Sequence, residues 1–357
     1  YLGALIKYPV EQTDEKKLKR RIDINKSKLK KESDVVIGFI GAGNFAQSYL
    51  LPNVLKHKTE LKGVATADPL NSKSVAKKFN FKFCTTEVSD VLNDSNINTI
   101  FIATRHDTHS EYVINALEKG KHVFVEKPLA LNEDQLNEVK KIYENKEDSK
   151  RTNLMVGFNR RFSRPFRDIK DFFKERNEPF VICYRVNAGF IPKDKWVQDK
   201  EQGGRIIGEG CHFIDVMNFL TGADPVSVFT EAIESDNQQV ENYDNVSIVI
   251  KYSDGSVGNL LYLANGDSSL PKEYCEVFSG GDTAVMNNFI EVMFYKNNKK
   301  NKKSYDGSKG HKEEVSYFLE RVKDDVPEEL SFHSIYKTTL TTFKIMESLR
   351  IKSQIIF

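Results

Sequence analysis

Cysteine is scarce in this sequence. The chain has 357 residues but only four cysteines, at positions 84, 183, 211 and 275, and none of them forms a C-x-x-C pair. Disulfide frameworks and zinc knuckles are built from more closely spaced cysteines, so the spacing argues against both, and we expect no bound metal. Scattered thiols are typical of proteins in a reducing compartment, and we expect a cytoplasmic location.

A charge imbalance and long apolar runs are also missing. The 53 Lys and Arg residues nearly balance the 51 Asp and Glu residues, which leaves a formal net charge of +2. No apolar run approaches the roughly 18 residues of a membrane helix, and the first residues lack the pattern of a signal peptide. We therefore expect neither a nucleic-acid nor a membrane partner. The sequence does not begin with Met, as is expected for a piece of a longer polypeptide.

The first 32 residues differ in composition from the rest. The stretch 16–31 is rich in Lys and Arg and poor in apolar residues. We interpret residues 1–32 as a basic, solvated and partly helical arm or linker. The alternative, a tail that binds nucleic acid, lacks the interleaved aromatic residues that would stack on bases.

From residue 34 onwards, strand and helix patterns alternate. Apolar runs rich in β-branched residues predict buried strands at 35–40, 61–66, 98–104, 121–126 and 153–158. Helices are predicted between them, one of them over 71–80 with Asn71 or Ser72 as its cap. Short connections between such elements predict parallel βαβ units, so residues 33–156 are expected to form a doubly wound Rossmann domain.

Beyond residue 157 the predicted strands lie closer together. Alternating runs occupy 179–188, 244–264, 273–289 and 291–298, and Asp254-Gly255 predicts a hairpin inside the second run. The basic stretch 296–303 is interpreted as a solvated hairpin tip. The predicted fold class is thus α/β, with a second α+β domain over 157–357 that carries a mostly antiparallel open sheet and serves substrate binding and oligomerisation.

A glycine-rich turn follows the first predicted strand. The run Gly41-Ala42-Gly43-Asn44-Phe45-Ala46 matches G-x-G-x-x-A and stands between a buried strand and a helix, the context that a dinucleotide site requires. Gly41 permits the tight turn, Gly43 lets a pyrophosphate approach the backbone, and Ala46 allows close packing of the helix. The N-terminus of that helix favours phosphates. A plain tight turn is the alternative.

The second strand bears on the choice between NAD and NADP. An acidic residue about 20 positions after the turn would bind the ribose 2′-hydroxyl of NAD. Thr66 occupies that position and Asp68 lies two residues later. A hydroxyl does not repel a 2′-phosphate, but no Arg follows to attract one. Both cofactors stay open, with a slight preference for NAD through Asp68.

Several ordered motifs resemble the Gfo/Idh/MocA family, whose members include glucose–fructose oxidoreductase and inositol dehydrogenases. They are GAGNFA, FIATRHDTHSEYVINALEKGKHVFVEKPLA, GGRIIGEGCHFIDVMNFLTG and SDGSVGNL, and the resemblance covers about residues 35–350. The chain is most similar to the oxidoreductase half of bi-domain dehydrogenases. That likeness implies an alcohol-dehydrogenase-like module upstream in the same polypeptide, and the family resemblance implies a homo-oligomer formed through the second sheet.

The resemblance also implies roles for individual residues. Lys127, in the E-K-P stretch at the end of a parallel strand, and His212 are implied as the catalytic pair. Glu126 is expected to contact the nicotinamide end or to orient Lys127. Thr104 is expected beside the adenosine or pyrophosphate, although the family usually has Pro where Arg105 follows it. His109 is expected either to cap the following helix or to lie near the nicotinamide.

The second domain departs from the family pattern at one position. Inositol-dehydrogenase-like members carry an Asp four residues before the histidine, where this chain has Gly208. Glu209 is adjacent, but on an extended segment its side chain is expected to point the other way. Asp215, three residues after His212, is expected on the same helical face, where it either orients the imidazole or anchors the helix.

Three further side chains are candidates for substrate binding. Arg160 and Arg161 follow the fifth strand, where guanidinium groups bind a phosphate bidentately or form salt bridges between the two domains. Trp196, the only tryptophan, precedes the histidine segment. It either stacks on a sugar or has an ordinary packing role.

These features together predict an enzyme that transfers a hydride between nicotinamide and a hydroxyl or keto carbon of a sugar, sugar nucleotide or polyol. His212 would move the hydroxyl proton while Lys127 stabilises the developing alkoxide. The missing acid at Gly208 supports the alternative, a non-catalytic dinucleotide-binding sensor or regulatory subunit. The partner expected in either case is a small, sugar-like molecule.

Overall fold

Two β-sheets organise the chain, and they are seen in a computed structural model that describes residues 20–24, 34–145, 152–237, 240–323 and 327–357. The strands of the first sheet are β1 (Arg21–Asp23), β2 (Val36–Ile40), β3 (Glu60–Ala65), β4 (Phe83–Thr85), β5 (Thr99–Ile102), β6 (His122–Val125) and β7 (Leu154–Val156). The α-helices of the described residues are α1 (Leu51–Val54), α2 (Pro69–Phe79), α3 (Val88–Leu92), α4 (His109–Glu118), α5 (Glu133–Glu144), α6 (Arg164–Phe172), α7 (Cys211–Thr221), α8 (His311–Lys323) and α9 (Phe332–Ile351).

The first sheet has the order β1-β4-β3-β2-β5-β6-β7, and all neighbours except the β1–β4 pair are parallel. The chain leaves β2 toward β3 on one side and returns to β5 on the other side, so the strand order reverses between β2 and β5. Ligands of doubly wound sheets bind at the carboxyl ends of the strands beside such a switch point. The topology therefore places the loops after β2, β5 and β6 at one binding edge.

Helices from distant parts of the chain cover the first sheet. Phe101 of β5 stacks on Phe124 of β6 with ring centroids 5.0 Å apart, and Phe318 of α8 meets Phe101 edge-on at 5.5 Å. Buried apolar residues of α9 join the same core. Because α8 and α9 pack against the first sheet, the second half of the chain also contributes to the core around the cofactor-binding strands. The boundary at residue 156 stays a prediction.

The second sheet is mostly antiparallel. Its strands are β8 (Val181–Asn187), β9 (Pro225–Ala232), β10 (Asn245–Tyr252), β11 (Val257–Leu263), β12 (Glu273–Ser279), β13 (Asp282–Asn287), β14 (Glu291–Lys296), β15 (Lys299–Ser304) and β16 (Ile355–Ile356). Among the strands that the structure describes here, only β8 and β11 pair in parallel. Helix α7 packs on the inner face, where Phe213 meets Tyr184 edge-on at 5.3 Å. The predicted fold class, a Rossmann sheet plus an α+β part with an open sheet, is confirmed.

Three local predictions are corrected. Asp68 caps α2, not Asn71 or Ser72: its carboxylate accepts from the Leu70 N–H at 2.9 Å, and Pro69 occupies the first helical turn. The stretch 296–303 holds the exposed two-residue tip of the β14–β15 hairpin, as predicted, but most of it is the edge strand β15, whose lysines protect the sheet edge from further pairing.

The third correction concerns the arm. Its described part forms strand β1 against β4 and is not helical, while most of residues 1–32 lie outside the described residues. The Asp254-Gly255 hairpin between β10 and β11 is confirmed. In the parts of the chain that the structure describes, no helix is both long and apolar enough to cross a bilayer.

Candidate active site

The glycine turn lies at the switch point of the first sheet, directly after β2. Gly41 has φ +82°, and a Cβ there would come within 2.8 Å of the Thr104 backbone nitrogen, so only glycine fits this contact. A Cβ on Gly43 would meet nothing within 4 Å. The Gly43 backbone thus faces open space, and the exposed Asn44 and Phe45 leave it uncovered.

Two side chains stabilise this turn through hydrogen bonds to its backbone. Gln47 and Asn71 both donate to the Ala42 carbonyl, at 3.0 and 3.3 Å. A helical turn begins at Asn44 and continues through the π-helical turn Ala46–Leu50 into α1, and the first backbone N–H groups of such a turn have no partner within the helix. The residues present therefore fit a dinucleotide diphosphate, because the approach to the Gly43 backbone is clear and a helix N-terminus with unpaired N–H donors follows it.

The end of β3 lies beside the turn. The Thr66 hydroxyl donates to the Asp68 carbonyl oxygen at 2.7 Å, so it stabilises the loop that leads into α2. Asp68 is exposed and uses one carboxylate oxygen as the helix cap. Its second oxygen makes no hydrogen bond within the described residues. The Asp68 side chain is therefore available to a ribose hydroxyl, as the sequence predicts.

The loop after β5 is held by a buried histidine. One ring nitrogen of His109 lies 2.8 Å from the Pro128 carbonyl, and the other lies 3.3 Å from the Thr104 carbonyl. Burial lowers the pKa of His109 to about 4, so the ring is neutral, carries one N–H and donates to only one of these two carbonyls. The two contacts tie the β5 loop to the loop after β6. His109 thus positions the loops beside it. It is the first residue of α4, with Thr108 at the cap position, so it does not cap the helix, and its proposed place near the nicotinamide stays a prediction.

Lys127 stands at the carboxyl end of β6, before a cis peptide bond to Pro128. Its Nζ donates to the Gly208 carbonyl at 3.0 Å, the only hydrogen bond that this ammonium makes among the described residues. An ammonium has three donors, so two stay free for a ligand. Burial raises the pKa of the neighbouring Glu126 to about 7 against the opposing effect of the Lys127 charge, and its Oε1 has no partner in the described chain.

His212 lies in the first turn of α7, supported by the second sheet. The residue is 7% exposed, and its buried Nδ1 has no hydrogen-bond partner within the described residues. Burial, followed by the charges of Arg160 and Lys127, holds the pKa of His212 well below its ordinary value. The imidazole is therefore neutral and able to accept a proton from a ligand.

One cavity of about 280 Å³ joins these groups. Phe45 from the glycine turn, Glu126, Lys127 and His212 all line it. The turn and Glu126-Lys127 come from the first sheet, whereas His212 comes from the helix on the second sheet. The structure thus brings the two proposed catalytic residues together with Phe45 and Glu126 of the proposed cofactor residues, while the other proposed cofactor residues do not line this cavity.

The two arginines after β7 are bound by carboxylates of the protein. Arg160 makes two parallel hydrogen bonds of 2.9 Å to Glu273 on β12. Arg161 binds Asp215 on α7 in the same bidentate manner, through Nε at 2.9 Å and through its NH2 group. Both pairs join the end of the first sheet to the second sheet or its helix. The structure thus agrees with the alternative in which both arginines form salt bridges between the two domains. The guanidinium edges that would bind a phosphate bidentately are occupied by carboxylates of the protein.

Asp215 is fully buried and anchors α7 through Arg161, so of its two proposed roles the anchor matches the structure. Among the described contacts it makes no hydrogen bond to His212. Arg160 borders the catalytic cavity, whereas Arg161 borders a separate, open groove of about 1120 Å³ along α6 and α9. Neither Lys127 nor His212 lines that groove.

The expected orientation of Glu209 is wrong. Residues Ile206–Gly210 form a π-helical turn instead of an extended segment, so the Glu209 side chain borders the same cavity as Lys127. Its carboxylate accepts from Lys272 at 2.7 Å and from Arg205 at 3.0 Å. Burial alone would raise the pKa of Glu209, but Lys272 and its other donors lower it to about 2. Its oxygens are thus largely used within the protein.

Trp196 has the packing role that the sequence left open, and its stacking on a sugar stays a prediction. It borders the cavity, and its ring meets His106 edge-on with centroids 5.0 Å apart. His106 itself was missed by the sequence reasoning, as was Glu314 of α8, which is fully buried with both carboxylate oxygens unpartnered in the described chain. His106 lies within the quoted stretch that begins at Phe101, but no local pattern marks it there, and Glu314 lies outside the quoted motifs. The surroundings of both residues come from tertiary neighbours.

Comparisons with known proteins agree with this geometry. Residues 35–158 match the family described as an oxidoreductase family with an NAD-binding Rossmann fold, and residues 179–271 match the GFO/IDH/MocA C-terminal domain. Together the two matches cover more than half of the chain.

Curated relatives and solved structures extend the likeness. The chain is 25% identical over 253 residues to myo-inositol 2-dehydrogenase of Thermotoga maritima, which covers 68% of this chain and 70% of that protein. It is 29% identical over 238 residues to scyllo-inositol 2-dehydrogenase (NAD(+)) of Bacillus subtilis, which covers 64% and 67%. The structure of levoglucosan dehydrogenase in complex with NADH and levoglucosan has the same fold, with a TM-score of 0.76 at 20% identity over 90% of this chain and 99% of that chain.

The glycine turn, the switch-point cavity and both family matches lead to one conclusion. The chain belongs to the GFO/IDH/MocA family of oxidoreductases and is a dehydrogenase or reductase that acts on CH–OH groups with a nicotinamide dinucleotide held on its Rossmann fold.

Proposed function

We propose that this enzyme transfers a hydride between NAD and a hydroxyl or keto carbon of a sugar, sugar nucleotide or polyol. The observation that carries the proposal is the single cavity lined by the glycine-turn residue Phe45, by Lys127 and by His212. Its volume suits a monosaccharide-sized group. The inositol and levoglucosan dehydrogenases among the similar proteins support a substrate of this class.

The dinucleotide would be held by residues of the first sheet. The open backbone at Gly43 and the N-terminus of the following helix support binding of the diphosphate. The exposed Asp68 supports NAD over NADP, because a carboxylate repels a 2′-phosphate. Thr104, tied by His109 to the loop after β6, is proposed to border the cofactor. When bound, the nicotinamide supplies the hydride acceptor or donor.

The side chains of the cavity would handle the proton. In oxidation, the O–H bond of the substrate breaks and its proton passes to the neutral imidazole of His212, while the C–H bond yields the hydride. The free N–H donors of Lys127 stabilise the negative charge that develops on the oxygen. Reduction reverses both steps, so the carbonyl oxygen gains its proton from the imidazolium. The unpaired Oε1 of Glu126 is proposed to accept from the nicotinamide end.

The sensor alternative rests on the missing acid at position 208. The carbonyl of Gly208 accepts a hydrogen bond from Lys127, so this backbone position still supports the proposed catalytic lysine. An enzyme is therefore the better supported function. The free thiols of the four cysteines are consistent with the cytoplasmic location expected from the sequence.

The test compares Lys127→Met with the wild type on a panel of myo-inositol, scyllo-inositol, levoglucosan and UDP-glucose, with NADH formation as the readout. We expect turnover to fall by about 10²–10⁴ because a charge-stabilising donor is lost. Binding of NADH, measured by its fluorescence, is expected to stay within about twofold. Lys119→Met, at an exposed lysine after α4, is the matched control and should keep full turnover. Unchanged turnover of Lys127→Met, or no turnover of any panel member by the wild type, would refute the proposal.

A further inference from the structure

His106 occupies an unusual position beside the catalytic lysine. It begins the short 3-10 turn His106–Thr108 after β5 and is 7% exposed. Its Nδ1 lies 2.9 Å from the backbone carbonyl of Gln202. A carbonyl oxygen only accepts hydrogen bonds, so Nδ1 carries the proton, and the Nε2 atom of the neutral ring is left with a lone pair.

The imidazole of His106 fills the side-chain space of residue 208. A Cβ built on Gly208 would lie 2.7 Å from Cε1 and 3.2 Å from Nδ1 of His106, closer than side chains pack. Lys127 donates to the carbonyl of the same Gly208. His106 therefore stands where a carboxylate at position 208 would begin, next to the ammonium of Lys127.

The ring of His106 borders the cavity. His106 lines the cavity together with Lys127 and His212, and its Nε2 makes no hydrogen bond to any described residue. Trp196 packs edge-on against the ring and restricts its rotation. Burial, then the Lys127 charge and, less strongly, His109 lower the pKa of His106 to about 4. The hydrogen bond to Gln202 and the Asp107 charge oppose this shift, and the ring stays neutral at physiological pH.

We propose that His106 is a third substrate-contacting residue of this enzyme, whose Nε2 accepts a hydrogen bond from a substrate hydroxyl next to the reacting carbon. The inference rests on the proposed function and deepens it. The reacting oxygen lies between Lys127 and His212, and the neighbouring hydroxyl meets His106. The site is thus selective for a vicinal diol. The acceptor for the second hydroxyl is the neutral His106 ring, which fills the space that a carboxylate at position 208 would otherwise occupy.

Nitrogen NMR of the wild-type protein tests the contact directly. With ¹⁵N-labelled histidine and saturating NADH, the His106 Nε2 signal should have the shift of an unprotonated nitrogen, and His106→Phe assigns it by its disappearance. We expect the signal to move toward the hydrogen-bonded range when myo-inositol or levoglucosan is added. A protonated Nε2, or a signal that neither polyol moves, would overturn the proposal.

Kinetics separates this contact from a structural role. His106→Phe keeps the packing against Trp196 but removes the acceptor, whereas His106→Gln keeps an acceptor on a flexible side chain. For each panel substrate that is turned over, we expect His106→Phe to raise KM about tenfold, with a smaller change for a deoxy analogue that lacks the neighbouring hydroxyl. Equal effects on both substrates would contradict the proposal. If a polyol shifts the Nε2 signal but no panel substrate is turned over, the proposed function is refuted, whereas the contact between His106 and the ligand is still supported.

Discussion

The buried pair of Arg161 and Asp215 makes a sharp prediction about how α7 is held. Both residues are nearly inaccessible, with Arg161 3% exposed and Asp215 fully buried. Replacing Arg161 by Met removes the two hydrogen bonds to Asp215 and leaves that carboxylate buried without its counter-charge. Since α7 carries His212 in its first turn, the pair also holds the catalytic end of the helix in place.

The magnitude follows from the geometry. Two hydrogen bonds between charged groups contribute about 1.5–3 kcal/mol each, and breaking a buried ion pair by removing one partner costs about 3–5 kcal/mol. We therefore expect Arg161→Met to lower the free energy of unfolding by about 4 kcal/mol. The double variant Arg161→Met/Asp215→Leu should recover all but about 1 kcal/mol, because apolar residues replace a buried ion pair at little cost.

Urea unfolding followed by circular dichroism measures these differences, and the cycle of single and double variants isolates the pair. Arg164→Met is the matched control: its side chain is 74% exposed, and its surface pair with Asp168 is expected to contribute less than about 1 kcal/mol. A loss below about 1 kcal/mol in Arg161→Met, or a double variant as unstable as the single one, would refute the anchoring role. A raised KM with unchanged stability would instead support substrate binding by Arg161.

Three further predictions concern the cofactor turn, a buried acid and the open sheet face. Gly43→Val should weaken NADH binding, measured by fluorescence, by at least about tenfold, because the new side chain fills the space through which the diphosphate approaches the backbone. The melting temperature should not fall, since that space is open in the protein alone. An unaltered affinity would contradict this prediction. Burial and then Glu126 raise the pKa of Glu314, so the folded state holds a proton that the unfolded state releases, and stability falls as the pH rises above the ordinary carboxyl range. Glu314→Gln should therefore become more stable relative to the wild type between about pH 5 and pH 8 in calorimetry, and parallel pH curves would be the opposing result. Val249 and Leu261 expose apolar surface on the second sheet, and we propose that copies of this chain associate through this face. Leu261→Glu should therefore lower the molecular mass measured by light scattering. An unchanged mass would argue against this face.

Much of the first sheet could be predicted because buried parallel strands have a simple signature. Strands β2 and β3 lie where the apolar, β-branched runs predict them, within one or two residues. Strand β4 was missed because its three residues, Phe83–Thr85, are too few to show a periodicity. The cap of α2 was misplaced because Asn71 and Ser72 resemble caps, while Pro69 in the first turn had already set the start at Asp68.

The sequence predicts those residues of the site that lie in local motifs, but not those whose role depends on contacts between distant parts of the chain. The glycine turn, Lys127 and His212 could be proposed from local patterns, and their roles stay predictions that the geometry supports. The pairing of Arg160 with Glu273 joins residues 113 positions apart, which no local pattern reveals. The same is true of His106, because the meaning of a glycine at position 208 emerges only when its ring is seen in the adjacent space.

A crystal structure of the NADH complex tests the central claim most directly. We predict the diphosphate against the Gly43 backbone and the nicotinamide ring in the cavity beside Glu126, so that the space between the Lys127 ammonium and the His212 imidazole is left for the reacting oxygen of the substrate. A dinucleotide bound elsewhere, or a nicotinamide out of reach of both side chains, would contradict it.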